Sequence, residues 1–207
     1  MRINKVMEGK DHWENIYSNK TPEEMSWTQE VPATSLALIN SFHVPKNAPV
    51  IDIGGGESKL VDHLLAAGYT DITVLDISAQ ALERAKARLG EQAQKVNWLV
   101  QDITTFTPAR TYAVWHDRAT FHFLTTSEQI AAYLQAAAKA INGYMAIGTF
   151  SDKGPEKCSG LIIKQYSEEA LTEQLTPLFE KLHCATEDHI TPFNTRQHFL
   201  FCSFKSR

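Results

Sequence analysis

Three aspartates recur at a spacing that could hold a ligand, because Asp52, Asp76 and Asp102 each stand at or beside the end of a short apolar run. After the first comes Asp52-Ile53-Gly54-Gly55-Gly56-Glu57-Ser58, a glycine turn. Such a turn lets a ligand approach the backbone closely and presents amides at a helix start. A phosphate loop would need G-x-x-x-x-G-K-[ST], a string that does not occur. A dinucleotide loop would need G-x-G-x-x-G, and counted from Gly54 and Gly56 the third glycine position holds Lys59. A carboxylate at the mouth of the turn, Asp52, would repel a pyrophosphate and favour a cationic ligand with ammonium and sulfonium groups. Asp76, 20 residues after Gly56, stands where an acid following the second strand accepts hydrogen bonds from ribose hydroxyls.

The elements that must position these residues are legible as strand-length apolar runs at 48–53, 71–77, 95–100, 111–116 and 144–150. Each is near-continuously apolar, as a strand covered on both faces should be. Between them lie helical stripes: Leu60, Val61, Leu64 and Leu65; Leu82, Ala85 and Leu89; Ile130, Tyr133, Leu134, Ala137 and Ile141. The alternation predicts an α/β fold, doubly wound, with a mostly parallel sheet and right-handed crossovers. All three aspartates then fall at the carboxyl edge of the sheet, in one crevice. S-adenosylmethionine has the charge and the ribose that this crevice calls for. Beyond residue 150 the pattern changes to a helical segment near 167–179 and two strand-like runs, LHCATEDHI and QHFLFCSF, read as an antiparallel hairpin at the sheet edge.

With no linker or repeat in 207 residues, a single domain is expected. It would divide into an N-terminal helical lid segment (1–47), a cofactor-binding core (48–150), and an acceptor loop, helix and terminal hairpin (151–207). The formal charge of -4, from 20 basic and 24 acidic residues, provides no excess for a phosphate backbone and argues against a nucleic-acid partner. No apolar run is long enough to span a bilayer, and the start MRINKVMEGKDHWENIY lacks a signal-peptide core, so a cytoplasmic chain without a membrane partner is expected. Three cysteines without a C-x-x-C pair, Cys158, Cys184 and Cys202, are expected to be reduced and mostly in the core. His183, His189 and His198 lack the ligand spacing of a metal site, so no metal is expected.

A second constellation follows the fourth strand, in Trp115-His116-Asp117-Arg118-Ala119-Thr120-Phe121-His122-Phe123. His116, Asp117 and His122 are the candidates to orient an acceptor or take its proton, and a structural hydrogen-bond network is the competing role. Trp13 and Tyr17, four apart on a helix, share a face that either covers a sulfonium by cation–π attraction or docks the helix. Trp27, in a loop, is the better placed to close over a ligand.

The run VIDIGGGESKL, then VLDIS with Asp76, then LVQDI with Asp102, resembles the cofactor motifs of class I S-adenosylmethionine-dependent methyltransferases. The resemblance implies a Rossmann-like sheet of seven strands. It also implies that Gly54, Gly55 and Gly56 pass under the methionine part, that Asp76 and Ile77 lie at the ribose, and that Asp102 and Ile103 border the adenine. Ser58 stands where a third glycine is common. GGGESKL and HDRATFHF resemble strings of a branch with elongation-factor lysine methyltransferases, and Trp13, Tyr17 and Trp27 resemble the lid of that branch and of thiol and thiopurine methyltransferases. The reaction implied is methyl transfer to a small-molecule acceptor or, alternatively, a protein lysine, with S-adenosylhomocysteine as product. A nicotinamide oxidoreductase is disfavoured by Lys59 and Asp52, and a non-catalytic cofactor-binding module is a third reading. A charge-assisted hydrogen bond contributes about 1.5–3 kcal/mol. Asp76→Ala should therefore weaken S-adenosylmethionine binding roughly tenfold to a hundredfold in calorimetric titration, and an unchanged dissociation constant would remove Asp76 from the site.

Overall fold

A computed structural model describes the backbone from Arg2 to Arg207 and side chains from Gly9 on; Met1, at the head of the expected lid segment, lies outside the described residues. Helices α1 (Arg2–Asn19) and α2 (Ala33–Ser41) precede β1 (Val50–Ile53), α3 (Leu60–Ala66), β2 (Ile72–Asp76), α4 (Ala79–Leu89), β3 (Val96–Val100) and β4 (Tyr112–Arg118). There follow α5 (Ser127–Ala140), β5 (Ile141–Phe150), the short β6 (Lys157–Cys158) and β7 (Leu161–Ile162), α6 (Glu168–Leu175), β8 (Phe179–Ile190) and β9 (Arg196–Ser206). Three helices start on hydroxyl caps: Ser78 accepts from the Ala81 amide, Thr126 from Gln129, and Ser167 from Ala170.

Seven strands form one sheet in the order β3-β2-β1-β4-β5-β9-β8, parallel from β3 to β5, with β9 antiparallel to β5 and β8 antiparallel to β9. The doubly wound sheet and its terminal antiparallel hairpin are as the sequence predicts. All four residues of β1 are buried, as expected of a central strand covered by helices on both faces. One face packs Ile51, Ile53 and Trp115 against Ile130, Tyr133 and Ala137 of α5 and Leu171 of α6. The other packs Val50, Val74 and Val114 against Ile39 of α2, Leu60 and Leu64 of α3 and Leu82 of α4. Parallel pairing leaves the carboxyl ends of β1, β2, β4 and β5 at one edge.

Three details depart from the sequence reading. β5 begins at Ile141, directly after α5 and three residues before the apolar run read from the sequence. The helical stretch near 167–179 stops at Leu175, because Phe179 already enters β8. The expectation of three thiols is corrected for two of them: Cys184 and Cys202 form a disulfide, while Cys158 is a buried free thiol. The reason is register, since the hairpin sets Cys184 directly opposite Cys202 with their Cα atoms 4.1 Å apart. A spacing of 18 residues has no local signature of this pairing. Among the described residues no helix is long and apolar enough to cross a membrane.

Truncation of the fully enclosed Ile51 to alanine should cost about 2–5 kcal/mol in urea unfolding. Val100→Ala, at a half-exposed position of the outer strand β3, should cost less than about 1 kcal/mol.

Candidate active site

The glycine turn leaves β1 with Gly54 at φ +63° and Gly56 at φ +47°, a left-handed backbone that side chains resist. The amides of Gly54 and Gly55 both donate to the Leu75 carbonyl, at 2.7 and 3.2 Å, which ties the turn to the end of β2. Space is equally restrictive. A Cβ on Gly55 would lie 2.6 Å from Asp52 Oδ2, and one on Gly56 would lie 2.7 Å from Tyr17 Oη and 3.1 Å from Asp76 Oδ2. The turn thus threads between two carboxylates and a phenol. Ser58 is exposed and its hydroxyl accepts from the Leu60 amide at the start of α3.

The aspartates meet different partners. Asp52 is buried, and its Oδ1 lies 2.6 Å from His116 Nδ1, whose Nε2 is 2.8 Å from Ser35 Oγ on α2. The carboxylate that the sequence placed toward a cationic ligand is therefore engaged across the β1–β4 pair. Asp102 is half-buried, and its Oδ1 accepts from the amide and hydroxyl of Thr104, both at 2.7 Å, beside the buried Ile103. Asp76 is buried, with Oδ1 accepting from the Ser78 amide at 2.8 Å and the half-buried Ile77 between them. Burial drives its pKa from 3.8 up to about 7, and the neighbouring Asp52 charge adds to the rise.

At the end of β4, consecutive side chains alternate between faces. Asp117 is fully buried on the face opposite His116, with Oδ1 accepting from the Thr120 and Phe121 amides at 3.0 and 3.2 Å. Its Oδ2 accepts from Tyr133 Oη at 2.8 Å, and that phenol in turn accepts from Trp115 Nε1 at 2.8 Å. Burial lifts the Asp117 pKa to about 6 even so. His122 is fully buried, stacks on Phe150 with ring centroids 4.5 Å apart, and accepts the Phe150 amide at Nδ1. Its Nε2 has no partner among the described residues. Burial, reinforced by the Arg118 charge, lowers its pKa to about 3, so the ring is neutral near pH 7.

An aromatic roof covers this edge. Trp13 meets Trp27 at 5.8 Å and Phe123 at 5.0 Å, and Tyr17 meets Trp27 at 6.4 Å. Glu14 holds the roof down, its carboxylate accepting from Ser78 Oγ and the Ala79 amide at 2.8 Å and the Gln80 amide at 3.1 Å. Those amides open α4, where an acid is favoured. Arg84 of α4 adds a hydrogen bond to the Lys20 carbonyl. Sequence reasoning missed Glu14, although it lies between Trp13 and Tyr17, because nothing local says which amides it reaches. It also missed Phe123 as a member of the roof.

The sheet order, with the glycine turn at the end of β1, is that of a Rossmann-like methyltransferase fold. A family profile described as a methyltransferase domain matches residues 50–142. The chain is 29% identical over 122 residues to the eEF1A lysine and N-terminal methyltransferase of Mus musculus, covering 58% of this chain and 17% of that protein. It is 32% identical over 113 residues to the malonyl-[acyl-carrier protein] O-methyltransferase of Anoxybacillus flavithermus, covering 54% of this chain and 41% of that protein. A solved SAM-dependent methyltransferase from Anabaena variabilis superposes with a TM-score of 0.74 at 16% identity, over 96% of this chain and 95% of that one. Residues 50–142 thus match a methyltransferase domain, and the chain as a whole has the fold of S-adenosylmethionine-dependent methyltransferases. It spans less than half the length of either curated relative.

Because folded Asp76 holds its proton to about pH 7 and the unfolded chain only to about 3.8, the ligand-free protein loses stability as pH rises through that window. Asp76→Asn abolishes this loss. The melting temperature of the variant, relative to the natural protein, should be higher at pH 8 than at pH 5, and a constant difference would place Asp76 outside a desolvated site.

Proposed function

We propose that this chain transfers a methyl group from S-adenosylmethionine to a small-molecule acceptor by in-line displacement. The observation that carries the reading is the buried Asp76 carboxylate beside the left-handed Gly54–Gly56 turn, under the roof of Trp13, Tyr17 and Trp27. The donor set fits the cofactor, because Asp76 accepts only backbone amides from the protein and retains acceptor capacity for ribose hydroxyls. When bound, S-adenosylmethionine supplies a methyl group activated on a sulfonium and leaves as S-adenosylhomocysteine.

The roles of the chain's residues follow from where each lies. Gly54, Gly55 and Gly56 admit the methionine part close to the backbone, Asp76 and Ile77 bind the ribose, and Asp102 and Ile103 border the adenine. Ser58 acts from the start of α3. Trp13, Tyr17 and Trp27 exclude water and present ring faces or edges to the cationic centre. Asp52 acts through His116 and Ser35, and Asp117 through Tyr133 and the 120–121 amides, both as positioning groups that hold the end of β4 beside the glycine turn. Of His116, Asp117 and His122, it is His122 that keeps a ring atom without a partner among the described residues, which makes it the candidate to meet the acceptor. Positioning an already nucleophilic acceptor provides most of the rate in such a displacement. We place the whole chain in one domain, acting in the cytoplasm.

The roof favours a small acceptor, since α1 lays Tyr17 against the glycine turn. A protein lysine is the second reading, favoured by the likeness to the eEF1A lysine and N-terminal methyltransferase. S-adenosylhomocysteine should raise the melting temperature, by the equivalent of about 2.7 kcal/mol at a hundredfold excess over its dissociation constant, and NAD(H) should not. A shift with NAD(H) alone would overturn the reading in favour of an oxidoreductase. Radiolabelled methyl groups supplied to a lysate fractionated by size should appear in the small-molecule fraction. Label in protein would establish the lysine reading, and cofactor binding without label would leave a binding module.

A further inference from the structure

Arg118 closes β4 with a charge that forms no ion pair among the described residues. Its Nη1 donates to the Trp27 carbonyl at 2.9 Å, and the guanidinium lies 4.8 Å over the Phe199 ring. Nε and Nη2 are shielded from water and have no hydrogen-bond partner among the described residues, and Arg118 forms no ion pair among them. The neighbouring carboxylates are engaged elsewhere. Glu187 of β8 accepts from Gln29 Nε2 at 3.2 Å and from Thr34 Oγ1, and Asp52 holds His116. Burial alone lowers the Arg118 pKa to about 10, against the opposing pull of Glu187. A desolvated guanidinium with two unspent donors is costly to keep, unless a ligand's anion completes it.

We propose that Arg118 binds a carboxylate of the methyl acceptor, which makes the acceptor class an organic acid. The proposal rests on the methyltransferase reading and adds the substrate class to it. Apart from its bond to the Trp27 carbonyl, the side chain leans away from the cofactor positions on β1 and β2. Asp76 and the glycine turn belong to β2 and β1 on one side of β4, whereas Phe199 lies on β9, two strands away on the other side. The unengaged Nε2 of His122 and the buried Cys158 lie within the electrostatic reach of Arg118. Phe150, Phe199, Cys158 and Ile163 form an apolar cluster there, with Trp27 and Phe123 packed on it. A carboxylate at the guanidinium would project an apolar body along these rings, toward the roof.

The test uses the full chain with two matched pairs of probes, benzoate with benzamide and octanoate with octanamide, in the presence of S-adenosylhomocysteine. At least one acid should raise the melting temperature while its amide does not. Two charge-assisted hydrogen bonds set the expected loss in Arg118→Gln at about a hundredfold or more in acid affinity. Arg118→Lys should recover part of that loss. Acid and amide binding equally to the natural protein, or neither acid binding, would overturn the proposal without any variant being needed. So would Arg118→Gln weakening S-adenosylhomocysteine while leaving acid affinity unchanged, since the guanidinium would then serve the cofactor's own carboxylate. Absence of S-adenosylhomocysteine binding to the natural protein would instead count against the methyltransferase reading, and the acid and amide pairs can then be compared alone.

Discussion

A carboxylate taken out of water must be satisfied, and the architecture of this site follows from the different ways in which four aspartates at one sheet edge meet that demand. Asp52 is held by an imidazole on the adjacent strand, Asp117 by a phenol and two turn amides, and Asp102 by the residue two places on. Among the described residues Asp76 takes only backbone amides, and it has the highest pKa of the buried carboxylates whose shift is resolved. The acid least satisfied by the fold is the one whose capacity is left for a ligand. The other three give the edge its shape, pinning β1 to β4, β4 to its following turn, and the end of β3 to its own.

The same logic extends to the roof and to the cationic side. Glu14 satisfies the open amides of α4 and thereby holds α1 across the glycine turn, so a helix-capping interaction also sets the position of Trp13 and Tyr17. Arg118 is the converse case, a charge with donors unspent. Local costs of this kind concentrate where a fold is arranged for a ligand, and the well-packed cores on both faces of the sheet offset them.

Much of this was legible from residue order. The runs at 48–53, 71–77 and 95–100 are mostly apolar and strand-length, and they place Asp52, Asp76 and Asp102 together because parallel strands all end at one edge. The glycine turn announces itself, since left-handed backbone at Gly54 and Gly56 demands those residues. His116 and Asp117 were legible as candidates, but not their partners. Asp52 and His116 are 64 residues apart and meet only because β4 lies beside β1 in a register that sets them opposite each other. Cys184 and Cys202 are likewise a fact of strand register.

The sequence by itself determined the class of fold, the glycine turn, and the recurrence of an acid after each of the first three strands, because each depends on local periodicity or on backbone conformations few residues adopt. Only the tertiary structure decided which acid is spent and which is spare, where Glu14 anchors the roof, and that Arg118 faces the β9 side with no ion pair among the described residues. Those outcomes depend on which side chains share a desolvated space, and that is set by strand order and register between segments far apart in the chain.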